Sequence, residues 1–131
     1  MSASRVVEGP GFRIRYDNEP GYLRAHVFDG TDSLEVSTAM WRMLGDACRA
    51  QAATRLLVVE ELLATVDIPD IDAVVDVQVE AGFAAIRVAF VELCDDIQGS
   101  ELAQILGSEQ GLTNRVFSNE DDARRWLLYG S

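Results

Sequence analysis

Few residues in this chain of 131 can do acid–base or nucleophilic chemistry. His26 is the only histidine, so a histidine-activated serine or cysteine must use it. It stands between Ala25 and Val27 in an alternating stretch, and no Gly-x-Ser-x-Gly nucleophile turn accompanies it in the sequence. A structural histidine is the reading, and no catalytic residue is assigned. The two cysteines, Cys48 and Cys94, lack metal-ligand spacing and are expected to be reduced, buried thiols.

Carboxylates are plentiful. Glu60-Glu61, Asp67 with Asp70 and Asp72, Asp95-Asp96, and the run Asn119 to Asp122 are the groups that could attract Mg²⁺ or Ca²⁺. Glu60, Asp95 and Asn119 each follow a predicted strand, where open α/β sheets bind their ligands. The spacing matches no calcium loop, because the required glycine and the distal bidentate glutamate are missing. Helix capping and solubility account for these side chains, and neither a metal nor a cofactor is expected.

Two other groups could bind something. Strand alternation puts Arg13 with Arg15, and Arg24 with His26, each pair on one face of its strand. A suitable register would unite all four into a basic patch for an anionic ligand or an acidic surface, that of a second copy included. The plainer reading is arginine stems covering an outer sheet face with their guanidinium groups in water. The segment Leu62-Leu63-Ala64-Thr65-Val66-Asp67-Ile68 is unusually apolar for a connection. Leu62, Leu63, Val66 and Ile68 either line a pocket for an acyl chain or tuck into the core or a dimer contact, and burial is preferred.

The overall charge narrows the partners. Twenty-two acidic residues against eleven basic give −11, which repels nucleic-acid backbones and anionic membrane surfaces. Nucleic acid is therefore not an expected partner. All eleven bases are arginine. The absence of lysine removes Schiff-base chemistry, the lysine of a phosphate-binding loop, and the lysine that a response-regulator receiver domain keeps in its acidic pocket. No apolar run approaches the ~20 residues of a membrane span, and Met-Ser-Ala-Ser-Arg is no signal core, so a cytoplasmic location is expected.

These side chains must be held by alternating strands and helices. Residues 12–16 and 22–28 alternate with period two around the breaker run Asp17 to Gly21 and predict an antiparallel hairpin. Asp32, with Glu35 three residues on, predicts a helix start whose buried stripe is Met40, Leu44, Ala47 and Cys48, with Trp41 beside it. Arg55 to Val59 and Ala85 to Leu93 are apolar runs suited to strands covered on both faces. Between them, residues 68–82 could alternate as a strand, but Pro69, the acidic first turn, the shared face of Ile71, Val74, Val75 and Val79, and the cap residue Gly82 favour a helix. A short helix around Ser100 to Leu106 should end at Gly107, Arg115 to Phe117 should be a strand, and Ser118 should cap a last helix that buries Ala123, Trp126 and Leu127.

The expectation is one α/β domain over residues 1–131, with a mixed sheet of about five strands and about four helices. The sheet starts as an antiparallel hairpin and continues with parallel strands joined by right-handed crossovers.

In this order of elements, and in the segments Arg55 to Val59, Arg87 to Val91 and Val116 to Ser118 with Ala123, Trp126 and Leu127, the chain resembles the STAS-type, SpoIIAA-like family of small bacterial proteins over residues 11–128. That family is also grouped with the Sec14-like lipid-binding fold. Family members with a known role are anti-sigma-factor antagonists, switched by phosphorylation of a serine at the start of the helix after the third strand. The resemblance implies a non-enzymatic regulatory or interaction module that meets a protein partner or its own copy, with a small apolar or anionic ligand as a further expectation. The corresponding region here reads Glu60-Glu61-Leu62-Leu63-Ala64-Thr65 and lacks the Asp-Ser pair, leaving Thr65 as the one switch position. The alternatives are a small enzyme using carboxylates at strand ends and a structural homodimer.

Overall fold

A computed structural model describes residues 4–64, 66–93 and 97–130. Thr65, Cys94, Asp95 and Asp96 lie outside the described residues. The chain opens with three antiparallel strands, β1 Ser4–Gly9, β2 Phe12–Glu19 and β3 Tyr22–Phe28. Both connections are two-residue Pro-Gly turns, Pro10-Gly11 and Pro20-Gly21. Proline suits the first central turn position, and the glycines take φ +86° and +88°, which a side chain would strain.

Three strands then add in parallel to β3, β4 Arg55–Glu60, β5 Arg87–Glu92 and β6 Thr113–Phe117, each at the growing edge, so the six-stranded sheet runs β1 to β6 in chain order. The connections are α1 Leu34–Gln51, α2 Ile71–Glu80 and α3 Ile97–Glu109, and α4 Glu120–Tyr129 ends the fold. The fold is thus α/β with a mixed sheet and four helices among the described residues, and residues 71–80 form the expected helix.

Strand pleating sorts the core into two layers. Leu56, Val58 and Val88 point to one face and pack with Ile14, Ala25, Val27 and the apolar stripe of α1, where Met40, Leu44 and Cys48 are buried as expected. Val74 and Val75 of α2 belong to the same layer. Leu57, Val59, Ala89 and Val91 point the other way, onto Ala123, Trp126 and Leu127 of α4. There Arg87 lays its guanidinium carbon 4.0 Å from the Trp126 ring centre and donates to the Trp126 carbonyl at 2.8 Å.

Several boundaries differ from the sequence expectation. A sixth strand, β1, precedes the hairpin; its short Arg5-Val6-Val7-Glu8 core gave little periodicity, yet Pro10-Gly11 repeats the Pro20-Gly21 turn and was its available signal. The α1 cap is Ser33, whose Oγ accepts the Val36 N–H at 3.1 Å, while Asp32 accepts from the Ser33 N–H and the Ser37 hydroxyl. Glu35 is exposed. Asn119, not Ser118, caps α4 by accepting the Asp122 N–H. In both places the neighbouring residue takes the extended backbone that aims its side chain at the free N–H groups. Gly107 lies inside α3 because Leu112 folds back onto it, 3.3 Å from where a Cβ would stand, and the chain turns later, at Gly111. Residues 83–85 form a 3-10 turn, so β5 begins at Arg87 and ends before Leu93.

Candidate functional site

The strands β4 and β5 read Arg-Leu-Leu-Val-Val-Glu and Arg-Val-Ala-Phe-Val-Glu and pair in parallel without offset, Arg55 beside Arg87 and Glu60 beside Glu92. Period two then places both glutamates on the face that carries Leu56, Val58 and Val88, the side of α1, α2 and α3. Glu60 and Glu92 are buried, 6% and 8% exposed, at the C-terminal ends of adjacent strands. Asp32 joins them from the loop after β3. That loop is clamped beside the segment after β4 by Asp32 N–H donating to the Leu63 carbonyl at 2.7 Å and Leu63 N–H donating to the Gly30 carbonyl at 3.0 Å.

All three carboxylates line one cleft, open to solvent, between the sheet and the helices. Its walls are apolar: Trp41 from α1, Ile71 and Val74 from α2, Val88 and Phe90 from β5, and Val116 from β6. The Trp41 indole stacks on Phe90 with ring centres 5.9 Å apart and meets Phe83 edge-on at 5.3 Å, which fixes this wall. Toward the N-terminal halves of the strands the lining becomes amide. Gln78 is buried and accepts from the Asn114 Nδ2 at 3.4 Å, while Gln104 accepts the Val116 N–H at 2.9 Å. The Asn114 Oδ1 is buried with no hydrogen-bond partner among the described groups. Asp32, Glu60 and Glu92 each engage neighbouring groups of the protein. Among the described residues no arginine or histidine lines the cleft.

Buried carboxylates in an apolar cleft can hold a cation, exchange a proton with a bound molecule, or orient a hydroxyl or amine. Among the described residues no three of His, Cys, Asp and Glu are arranged to hold a metal ion.

The four basic residues singled out from sequence do meet, but on the opposite sheet face. Arg15 stands beside His26 and Asp17 beside Arg24 in the β2–β3 register. Each of the four has a carboxylate beside it: Arg13 contacts Glu8 and Asp29, Arg15 contacts Asp17, and His26 Nε2 lies 2.8 Å from Glu61. Arg24 makes a bidentate contact with Glu120 at 2.8 and 2.9 Å and also reaches Asp17. The hydrogen bond to Arg24 lowers the Glu120 pKa, and the same bond raises that of Arg24. This face therefore interleaves basic and acidic side chains rather than presenting a field of one sign.

The apolar segment divides. Leu62 is fully buried in the first core layer, Val66 is partly buried and lines the cleft, and Leu63 and Ile68 are largely exposed. Burial of Cys48 raises its thiol pKa to about 11, an inert core thiol. Glu92, Asp32, Gln78 and Asn114 were not marked as site residues from sequence. The signal for Glu92 was the matched Arg-to-Glu pattern of the two strands; Asp32 was masked by its expected capping role, and nothing local marks the amides. Among the described residues no helix is long and apolar enough to cross a membrane.

No protein-family model, curated protein or solved structure matches the chain.

Proposed function

We propose that this chain is a non-enzymatic regulatory module of STAS-like type that responds to a small molecule held in the cleft between the sheet and helices α1, α2 and α3. The observation that carries the reading is the cleft itself: apolar walls, a few convergent polar groups, and a position at the C-terminal ends of parallel strands, where α/β sheets take their ligands. The order of an antiparallel meander followed by parallel strands and helices supports the STAS-like assignment. The region Glu60 to Thr65 lacks the Asp-Ser pair of the phosphorylated family members, and Glu60 and Glu61 already supply the negative charge that phosphate would add, which favours control by a ligand over control by phosphate.

Native mass spectrometry of the purified protein tests this. A co-purified small molecule, or one whose addition shifts Trp41 fluorescence in a Trp126→Phe background, supports the reading. A bare chain with an emission insensitive to a broad metabolite set overturns it. The side-by-side burial of Glu60 and Glu92 favours one second reading, acid–base catalysis by a carboxyl pair. Recovery of the bound molecule at unchanged mass after prolonged incubation marks a binding module, and a changed mass marks an enzyme.

A further inference from the structure

We propose that β1 is a pairing edge, to which a second copy of this chain adds its own β1, antiparallel about a two-fold axis at Val6, so that one sheet runs through both copies. The two-residue turn at Pro10-Gly11 makes Gly9 and Phe12 a hydrogen-bonded pair. Alternation then turns the backbone groups of Val7 and Arg5 toward β2 and those of Glu8, Val6 and Ser4 outward. Among the described residues the hydrogen bonds of β1 all run to β2, and neither a proline nor a bulge interrupts the strand. The far edge of the sheet is guarded, because the Gln104 side chain of α3 accepts the Val116 N–H of β6. An unguarded row of N–H and C=O groups is where a further strand adds.

The side chains of this edge fit a second copy of themselves. An axis at Val6 sets Val6 against Val6 and Ser4 against Glu8 of the second copy, all on the sheet face that carries Arg13 and Arg15. Val6 is 55% exposed in the single chain and loses that exposure at the centre of the pairing. The Arg15 guanidinium donates to the Ser4 Oγ at 3.1 Å, so its charge already stands where Glu8 of the second copy arrives. Glu8 and Arg15 are both well exposed, and two such ion pairs, related by the axis, flank the Val6 contact. The pairing consumes the bare edge of both copies while β6 stays guarded, so assembly closes at two. A six-residue edge offers about six new backbone hydrogen bonds and a small interface, which sets the dissociation constant on the order of 10–100 μM.

Sedimentation velocity on the whole chain, from about 5 μM to about 1 mM in about 0.15 M salt, should show monomer passing to dimer. Val6→Pro removes an outward N–H that the β1–β2 ladder does not use, so it should keep the monomer's melting temperature and abolish the dimer. Glu8→Arg alone brings arginine onto Arg15 across the axis, and Arg15→Glu alone brings glutamate onto Glu8; each should weaken association about tenfold or more. An equimolar mixture of these two variants places opposite charges at both positions and should associate as the parent does. A chain that stays monomeric up to about 1 mM overturns the proposal, because the interface would then be weaker than any specific edge pairing. A dimer that survives Val6→Pro overturns it in favour of another surface. A mixture that associates no better than either variant alone overturns the antiparallel register at Val6. The mixing experiment decides the matter even if Val6→Pro fails to fold. β1 contributes nothing to the cleft lining, so none of these outcomes bears on the cleft reading.

Discussion

Gly45 sits on α1 one turn beyond Trp41, on the same helical face, and its substitution by alanine tests how rigidly the cleft wall is held. A Cβ there would stand 2.9 Å from the Ala81 carbonyl oxygen, 3.0 Å from the Ala81 Cβ and 3.4 Å from the Phe83 ring. Ala81 is the backbone cap of α2, its carbonyl already accepts from Arg49, and it has no side-chain rotation by which to yield. Alanine gains about 1 kcal/mol over glycine in a helix interior. Pushing two packed helices apart costs about 2–3 kcal/mol, toward the upper part of the overpacking range because backbone is what must move. The net expectation for Gly45→Ala is a loss of about 1–2 kcal/mol, and with about 3–4 °C of melting temperature per kcal/mol in a domain of this size the fall is about 3–8 °C. Thermal and urea unfolding followed by circular dichroism measure it, and Trp41 emission in the Trp126→Phe background should shift with it. Gly107→Ala is the internal control. Its Cβ would meet only side-chain atoms, those of Leu112 at 3.3 and 3.5 Å and the Asn114 Nδ2 at 3.8 Å, so helix propensity should prevail and stability should hold or rise by up to about 1 kcal/mol. Equal or higher stability for Gly45→Ala would refute the close α1–α2 approach as a rigid constraint.

Three other outcomes are expected. The Glu120 pKa is depressed by Arg24, so the contribution of this pair is present above the ordinary carboxylate value and is lost as pH falls through the lower folded one. Glu120→Gln should therefore cost about 1 kcal/mol near neutrality, and the gap from the parent should close as pH falls below the ordinary carboxylate range in pH-resolved unfolding. Asn119→Ala should cost about 1 kcal/mol and Ser118→Ala much less, since only Asn119 accepts the Asp122 N–H; equal costs in urea titration would overturn the cap assignment. Cys48, buried and with its thiol raised to about 11, should resist alkylation at pH 8 in the folded protein and label on unfolding, as peptide mapping would show.

The local rules carried far in this chain. Period-two alternation located β2 and β3, apolar runs located β4 and β5, and helical spacing named the buried residues of α1 and α4. These patterns are short-range consequences of which side of an element meets the core, so they are written in consecutive residues. Arg13 with Arg15, and Arg24 with His26, were each placed on one face of their own strand for the same reason, and the apolar character of residues 62–68 was plain. Boundaries were less legible, because cap geometry depends on one backbone conformation, and Ser33 and Asn119 rather than their neighbours adopt it.

The candidate site was legible only in fragments. Composition alone settled that the chain is strongly acidic and contains no lysine. That Arg13, Arg15, Arg24 and His26 each lie against a carboxylate was decided by β2–β3 register and by where α4 docks, which no local pattern contains. Glu60 and Glu92 are 32 positions apart in the chain and neighbours only because β4 and β5 pair in parallel without offset. Asp32 reaches them through the clamp between two loops, and Gln78 and Asn114 meet across α2 and β6. A chain's sequence determines which face of each element is apolar, because that is set by side chains a few residues apart. Which polar groups share a cleft is set by register and helix docking across the whole sheet, and only the folded structure decides it.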